Sequence, residues 1–404
     1  MNVLQISGYD SPGDRFNGLA LAPIFERLGV ASHNLTWEKY SSLSNATEIG
    51  GVAAKAANKI VTAIEATLSV QSMFYPSASL IMKMPKFREA DVLHLHIIHS
   101  GFFSICSLPA MTAQKPTVWT LHDPWALTGH CIHPFQCSRW KIGCGECPDL
   151  QSPFPLRKDR TAFLFDYKRK AYQNSRFDLI VSSGWMRSMV DESPLFKGVR
   201  VHQVPFGVDL DFFRPDDSGS ARCRLGIPDD ALVIFFRCVD GPFKGFEHIV
   251  RALSDLVCLG PVVLLTITAV GMLGRFSGKY DIREFGFVTD QNLVRDLFQA
   301  ADIFLMPSMA ESFGMMAVEA MASSKPVVCF DETAVAEITF GPDVGLSVPY
   351  GDSVAFSAAL QYLVDNPLER QRRGSLGRSK AEECYSDITF ARRLVDIYSS
   401  LLEK

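Results

Sequence analysis

The sequence predicts an α/β protein built on parallel, doubly wound sheet, and three observations carry that prediction. Residues 301–306 (Ala-Asp-Ile-Phe-Leu-Met) and 326–330 (Pro-Val-Val-Cys-Phe) are short apolar runs of buried-strand length. Between them, residues 313–322 carry Met316, Ala317, Ala320 and Met321 at helical spacing with almost no β-branching, which reads as a helix. Strand, loop, helix, strand is the repeating unit of a doubly wound sheet. The third observation is size: 404 residues, 47% hydrophobic and 21% charged, suffice for two domains with full cores.

A net charge of −4 gives no sign of a nucleic-acid partner. The first residues, Met1-Asn2-Val3-Leu4-Gln5-Ile6, run straight into a strand pattern. The longest apolar stretches, 92–108 and 259–273, are interrupted by Gly, Pro, Thr or His. The expectation is a cytoplasmic protein. Ten cysteines in a chain of this length do not make a disulfide scaffold, and most, such as Cys106, Cys223 and Cys329, are expected to be small core residues.

In chain order, residues 3–7 form a first strand, followed by a Gly-bearing loop from Gly8 to Gly18 and a helix over 19–28. Residues 52–68 form an amphipathic helix with Lys55 and Lys59, continuing into the apolar, basic stretch 79–87. It reads either as a domain helix with a solvated face or as a surface that touches a membrane. Residues 91–97 alternate as a strand and bring His94, His96 and His99 near its end. One face of that strand must be core, so structural or pocket-lining roles are preferred to a metal set. The strand at 116–121 delivers His122-Asp123, and ligands of open parallel sheets bind beyond the carboxyl ends of strands.

A cysteine cluster comes next: Cys131, Cys137, Cys144 and Cys147, with His130 and His133 interleaved. Close thiol spacing in a reducing compartment points to one structural, tetrahedral zinc; packed free thiols and a disulfide are the alternatives. Strands at 178–182 and 201–207 close the first domain. Asp209-x-Asp211 has the look of a metal-binding acidic pair, but it sits in a domain junction. The second domain opens with a strand at 232–236, then Arg237, Lys244-Gly245 and a helix through 253. Strands follow at 262–269 and 282–288, and residues 360–404 are helical and strongly charged.

Glu311 lies in the loop after the 301–306 strand. Glu319 lies on the next helix, about 7.5 Å beyond Gly314 at roughly 1.5 Å per residue. Helical side chains lean toward the N-terminus, so Glu319 points back to the loop. A phosphate on the first amides of that helix, with Gly314 allowing close approach, would bring sugar hydroxyls within reach of Glu319. Solvated surface glutamates are the alternative.

The whole string Pro-Ser-x-x-Glu-x-Phe-Gly-x-x-x-x-Glu-Ala-Met-Ala, then Lys-Pro-Val-Val, resembles the donor-site signature of retaining GT-B glycosyltransferases, glycosyltransferase family 4. The resemblance implies two Rossmann-like domains facing across a cleft. Residues 1–205 would form the acceptor-side domain and 206–386 the donor domain, with a helix from 387 returning to the first. It implies transfer of a hexose, with retention, from a nucleoside-diphosphate sugar of UDP or GDP type to a hydroxyl acceptor. His122 and Glu311 would be catalytic. Gly18, Arg237, Lys244, Phe313, Gly314, Met315 and Glu319 would bind donor, and catalysis would need no cofactor.

The chain departs from the family at three places. Asn17-Gly18 stands for a Gly-Gly pair, Arg237 lies farther from Lys244 than usual, and Thr333-Ala334 replaces two glycines. The run Thr-Leu-His-Asp-x-Trp-x-x-Thr-Gly-x-Cys resembles members that assemble polysaccharide or lipopolysaccharide. That implies a glycan or lipid-linked acceptor, at the inner face of a membrane. A sugar-nucleotide epimerase and a non-catalytic sugar-nucleotide or glycan-binding protein are the rival readings.

Overall fold

The computed structural model describes residues 1–11, 14–99, 101–151, 154–216 and 219–403. Backbone contacts divide the chain into two units, Met1–Val204 with Ile388–Lys404, and Pro205–Asp387.

In the first unit the strands are β1 (Asn2–Tyr9), β2 (Ala31–Glu38), β3 (Ala46–Glu48), β4 (Val92–His96), β5 (Thr117–Leu121), β6 (Asp178–Val181) and β7 (Val201–Gln203). They pair in parallel in the order β3-β2-β1-β4-β5-β6-β7. Every residue of β4, β5 and β6 is buried, as expected where helices cover both faces of a parallel sheet. One core of this unit gathers Ile6, Leu35, Leu95, Trp119 and Leu179 from five of those strands. Full burial of each such side chain stabilises by roughly 1.5–3 kcal/mol.

The second unit continues with β8 (Leu232–Cys238), β9 (Val262–Thr268), β10 (Asp281–Glu284), β11 (Ile303–Met306), β12 (Val327–Phe330) and β13 (Leu346–Val348). All pair in parallel, in the order β10-β9-β8-β11-β12-β13. The strand expected over 282–288 is shorter and starts one residue earlier.

Each sheet reverses its winding once, between β1 and β4 and between β8 and β11. These are the switch points at which loops splay apart and leave room for a ligand.

The last 16-residue helix, Asp387–Leu402, buries Phe390, Ala391, Leu394, Ile397, Tyr398 and Leu401 at helical spacing. It packs in the first unit, where Tyr398 lies 6.1 Å, ring to ring, from Phe25. The helix after β1 is only Ala22–Arg27, shorter than the 19–28 expected, because the loop before it is built on side-chain hydrogen bonds rather than helical ones.

Candidate functional site

In the second unit, the loops leaving β8 and β11 are joined by their backbones. The amides of Met309 and Ala310 both donate to the Phe243 carbonyl, at 3.0 and 3.2 Å. Gly245, at φ +63°, makes this possible, since a Cβ there would lie 2.0 Å from the Pro307 carbonyl oxygen. That approach sets Lys244 against Glu311, whose Oε1 accepts from Lys244 Nζ. Ser308 Oγ donates to the same oxygen at 3.4 Å. Both charged side chains keep some exposure, 23% and 18%. The structure thus brings together two residues 67 positions apart.

Gly314 begins the Met315–Ala322 helix in a left-handed conformation, φ +106°. A Cβ there would crowd Met306 Cε at 3.2 Å and Val335 Cγ2 at 3.3 Å. The glycine is therefore needed for packing as well as for close backbone approach. Phe313 is buried against Phe206 and Tyr385, at ring separations of 5.2 and 5.8 Å, and Met315 is buried too. Glu319 is 0% exposed, so the solvated-surface alternative does not hold for it. Contact with a sugar requires neighbouring groups to move aside.

Arg237 is the one exposed residue of β8, near its carboxyl end, and its Nε donates to Thr268 Oγ1 at 3.2 Å, at the end of β9. It is tied toward β9, while Lys244 is tied toward the loop after β11. Asp209 Oδ1 accepts from the amides of Asp211 and Phe212 at 3.0 and 2.9 Å. Asp209 is therefore a turn cap, with Asp211 inside the turn it closes. Thr333 occupies extended backbone before the Ala334–Ile338 helix, with its hydroxyl donating to the Phe330 carbonyl.

In the first unit the switch point holds histidines. His96 Nε2 donates to Gln5 Oε1 at 2.8 Å, which leaves Nδ1 as an acceptor for His122 Nε2–H at 3.0 Å. The remaining lone pair of the neutral His122 ring is then on Nδ1. His94 is held by Tyr398 Oη and Thr120 Oγ1, both at 2.7 Å. Burial, reinforced by the neighbouring imidazoles, pushes His94 down to about 3 and His96 well below the ordinary histidine value. Burial likewise lowers His122 to about 4, with Asp123 opposing and His99 adding to the shift. Burial alone would raise Asp123, but the His99 imidazole at 3.2 Å and the Trp125 amide hold it below the usual carboxylate range.

His94 and His96 are thus polar struts of the core, not a metal set. Sequence reasoning missed Gln5, a buried amide in the middle of β1. Its one signal was a polar residue inside an apolar strand. Gly18 sits directly over it: at φ +82°, a Cβ there would meet Gln5 Cδ at 2.8 Å. Asn17 explains its own departure. Its side chain bonds the carbonyls of Tyr9 and Asp10 and the amide of Leu19, so it is buried and staples the loop.

The Val52–Leu68 helix is inverted relative to an ordinary domain helix. Val52, Ile60, Ile64 and Leu68 are exposed, while Asn58 and Glu65 are buried. Glu65 accepts from the amides of Ser72, Met73 and Phe74, which explains its burial. No helix among the described residues is long and apolar enough to cross a membrane.

Residues 231–366 match the family described as "Glycosyl transferases group 1". That span holds Arg237, Lys244, Glu311, Phe313, Gly314, Met315 and Glu319. The chain is 32% identical over 222 residues to D-inositol 3-phosphate glycosyltransferase 2 of Catenulispora acidiphila, covering 50% of this chain and 51% of that protein. It is 26% identical over 259 residues to the putative colanic acid biosynthesis glycosyl transferase WcaC of Escherichia coli, covering 61% of each. These matches thus span about half to three-fifths of the relatives' length. The structure resembles Anabaena Alr3699/HepE, solved in complex with UDP and glucose, with TM-score 0.69 and 15% identity over 99% of both chains. At that identity the likeness shows the fold, which is that of the GT-B glycosyltransferases.

Proposed function

We propose that this chain is a retaining glycosyltransferase that moves a hexose from a nucleoside-diphosphate sugar to a hydroxyl acceptor. The observation that carries the reading is the Lys244–Glu311 pair, set by Gly245 at the switch point of the second sheet, next to the amino end of the Gly314 helix. The matched relatives named as glycosyltransferases support the class. The neighbour holding UDP and glucose supports a UDP-sugar as the first donor to try.

In the proposed reaction the bond from sugar C1 to the β-phosphate oxygen breaks as the acceptor oxygen bonds C1 on the same face. The acceptor proton goes to the departing phosphate. Lys244, released from Glu311 by the anion, neutralises that phosphate together with the first amides of the Met315–Ala322 helix. Glu311, left beside the donor, positions the sugar, and Glu319 binds the ribose. His122, neutral and fixed by His96, offers hydrogen bonds to sugar hydroxyls without adding charge. Arg237 joins the clamp only if it leaves Thr268. Clamping by cations and amides needs no divalent metal.

The acceptor would be a glycan or lipid-linked saccharide, a reading supported by the colanic acid relative and by the outward-facing Val52, Ile60, Ile64 and Leu68. That apolar stripe would rest on a membrane surface. Flotation with liposomes, lost in an Ile60→Ser/Ile64→Ser variant, checks the contact.

The decisive experiment incubates the chain with UDP- and GDP-hexoses, with and without candidate acceptors. Thermal shift selects the donor, and product analysis separates the readings. An anomerically retained glycoside supports the proposal. Free nucleotide with an altered sugar and no need of acceptor would favour an epimerase. Binding without turnover for any acceptor would favour a binding protein.

A further inference from the structure

The cysteines between β5 and β6 meet at one place. Cys131, Cys137, Cys144 and Cys147 line a single cavity of about 20 Å³ together with His130, and all four thiols are free. Such a volume admits one water-sized occupant.

His130 is 1% exposed. Its Nε2 donates to the Asp149 carbonyl at 2.9 Å, so Nδ1 carries the lone pair, and that buried atom has no hydrogen-bond partner. An imidazole fixed through one nitrogen on a carbonyl, with the other left bare, is arranged as metal-bound histidines are. The Cys144-Gly-Glu-Cys147 knuckle is bent sharply: Gly143, Cys144, Gly145 and Glu146 have φ of 135, 58, 93 and 46°. The Gly129 amide donates to Cys144 Sγ at 3.2 Å, a bond that favours a thiolate.

Lys168, 2% exposed, donates to the carbonyls of Trp125 and Thr128 at 2.6 and 2.9 Å. Burial pushes the Lys168 ammonium down to about 7, and its two carbonyl bonds fix the start of the segment that carries the cysteines.

We propose that this cavity binds one zinc ion through thiolates, with Cys144 and Cys147 in every ligand set and His130 Nδ1 as the nitrogen donor. Among the described residues, no three His, Cys, Asp or Glu side chains stand close enough together to hold a metal ion as they are. Binding therefore draws the donors inward, to about 2.3 Å for sulfur. The ion has a structural task, independent of the chemistry the chain performs. It ties down the 128–149 segment, which follows directly on the His122-Asp123 turn and the Pro124–Leu127 helix.

Protein purified under reducing conditions without chelator should carry about one zinc per chain, and cobalt in its place should show a thiolate charge-transfer band. Cys144→Ser and Cys147→Ser should lose both metal and band, while Cys106→Ser, outside the cavity, keeps them. His130→Gln should weaken zinc affinity about 10- to 100-fold; unchanged affinity strikes the nitrogen from the proposal. If the serine variants fail to fold, the wild-type chain decides. Metal-free wild-type protein that takes up neither ion, or whose thiols react with a disulfide reagent equally fast with and without zinc, overturns the site. So does recovery of the four cysteines as disulfides from reducing buffer.

Discussion

At the carboxyl ends of β8 and β11 a cation and a carboxylate face each other with solvent still in reach of both; at the ends of β4 and β5 two imidazoles face each other, neutral and anchored to a buried amide. The two switch points share topology and differ in chemistry. An ion pair near the surface is worth little to stability and can be redistributed onto an anionic ligand at small cost. A chain of neutral histidines cannot carry phosphate charge, but it holds a ring in one tautomer and one orientation. On this contrast rests the proposal that the second unit takes the phosphates and the first the hydroxyl contacts.

The strongest break of the contrast is Lys244→Ala. It should lower turnover about 100- to 1,000-fold, the usual loss when a group that stabilises developing charge is removed. It should leave the melting temperature nearly unchanged. Initial rates within a few-fold of wild type would move the phosphate site elsewhere.

Acid separates the two ends next. His94, His96 and His122 have folded values below the ordinary 6.5, so folding is fully favoured above about pH 6.5. That stability is lost as the pH falls toward 4 and then 3, because the unfolded chain takes up protons first. The second unit carries one such histidine, His248. Hydrogen exchange, corrected for intrinsic rates, should therefore show the first unit losing protection ahead of the second between pH 6.5 and 4. Equal loss in both units would refute the histidine account.

Glu319→Gln keeps the shape of a fully buried side chain and removes its charge. Nucleoside-diphosphate affinity should fall by roughly 1.5–3 kcal/mol, the range for a hydrogen bond to a charged group. Calorimetry showing wild-type affinity would leave the residue with a packing role only. An alanine there would confuse the result, since it also opens a cavity.

The smallest effect expected is none at all. Brief initial-rate assays in excess chelator should match those with magnesium or manganese if, as proposed, Lys244 and helix amides supply the positive charge. Activity that disappears at once and returns with manganese would show that a metal, not this clamp, meets the diphosphate.

Apolar runs were enough to find the central strands of both sheets, because a strand buried on both faces must be apolar along its length, but not β2, β3 or β13, whose segments mix polar with apolar residues. The signature from Pro307 to Glu319 was legible for the same local reason: its glycine, helix and carboxylates fall within one strand-loop-helix unit. The return of the last helix to the first unit could be expected only through the resemblance. Its anchor, Tyr398 on His94, joins residues 304 positions apart.

Tertiary structure alone decided the rest, because burial and pairing are set by neighbours distant in sequence. It showed Glu319 to be enclosed, tied Arg237 to Thr268, and turned Asn17 from a departure into a staple. It also faced the apolar side of Val52–Leu68 outward, against the usual sense of such a helix, because Glu65 is needed inside to hold three amides.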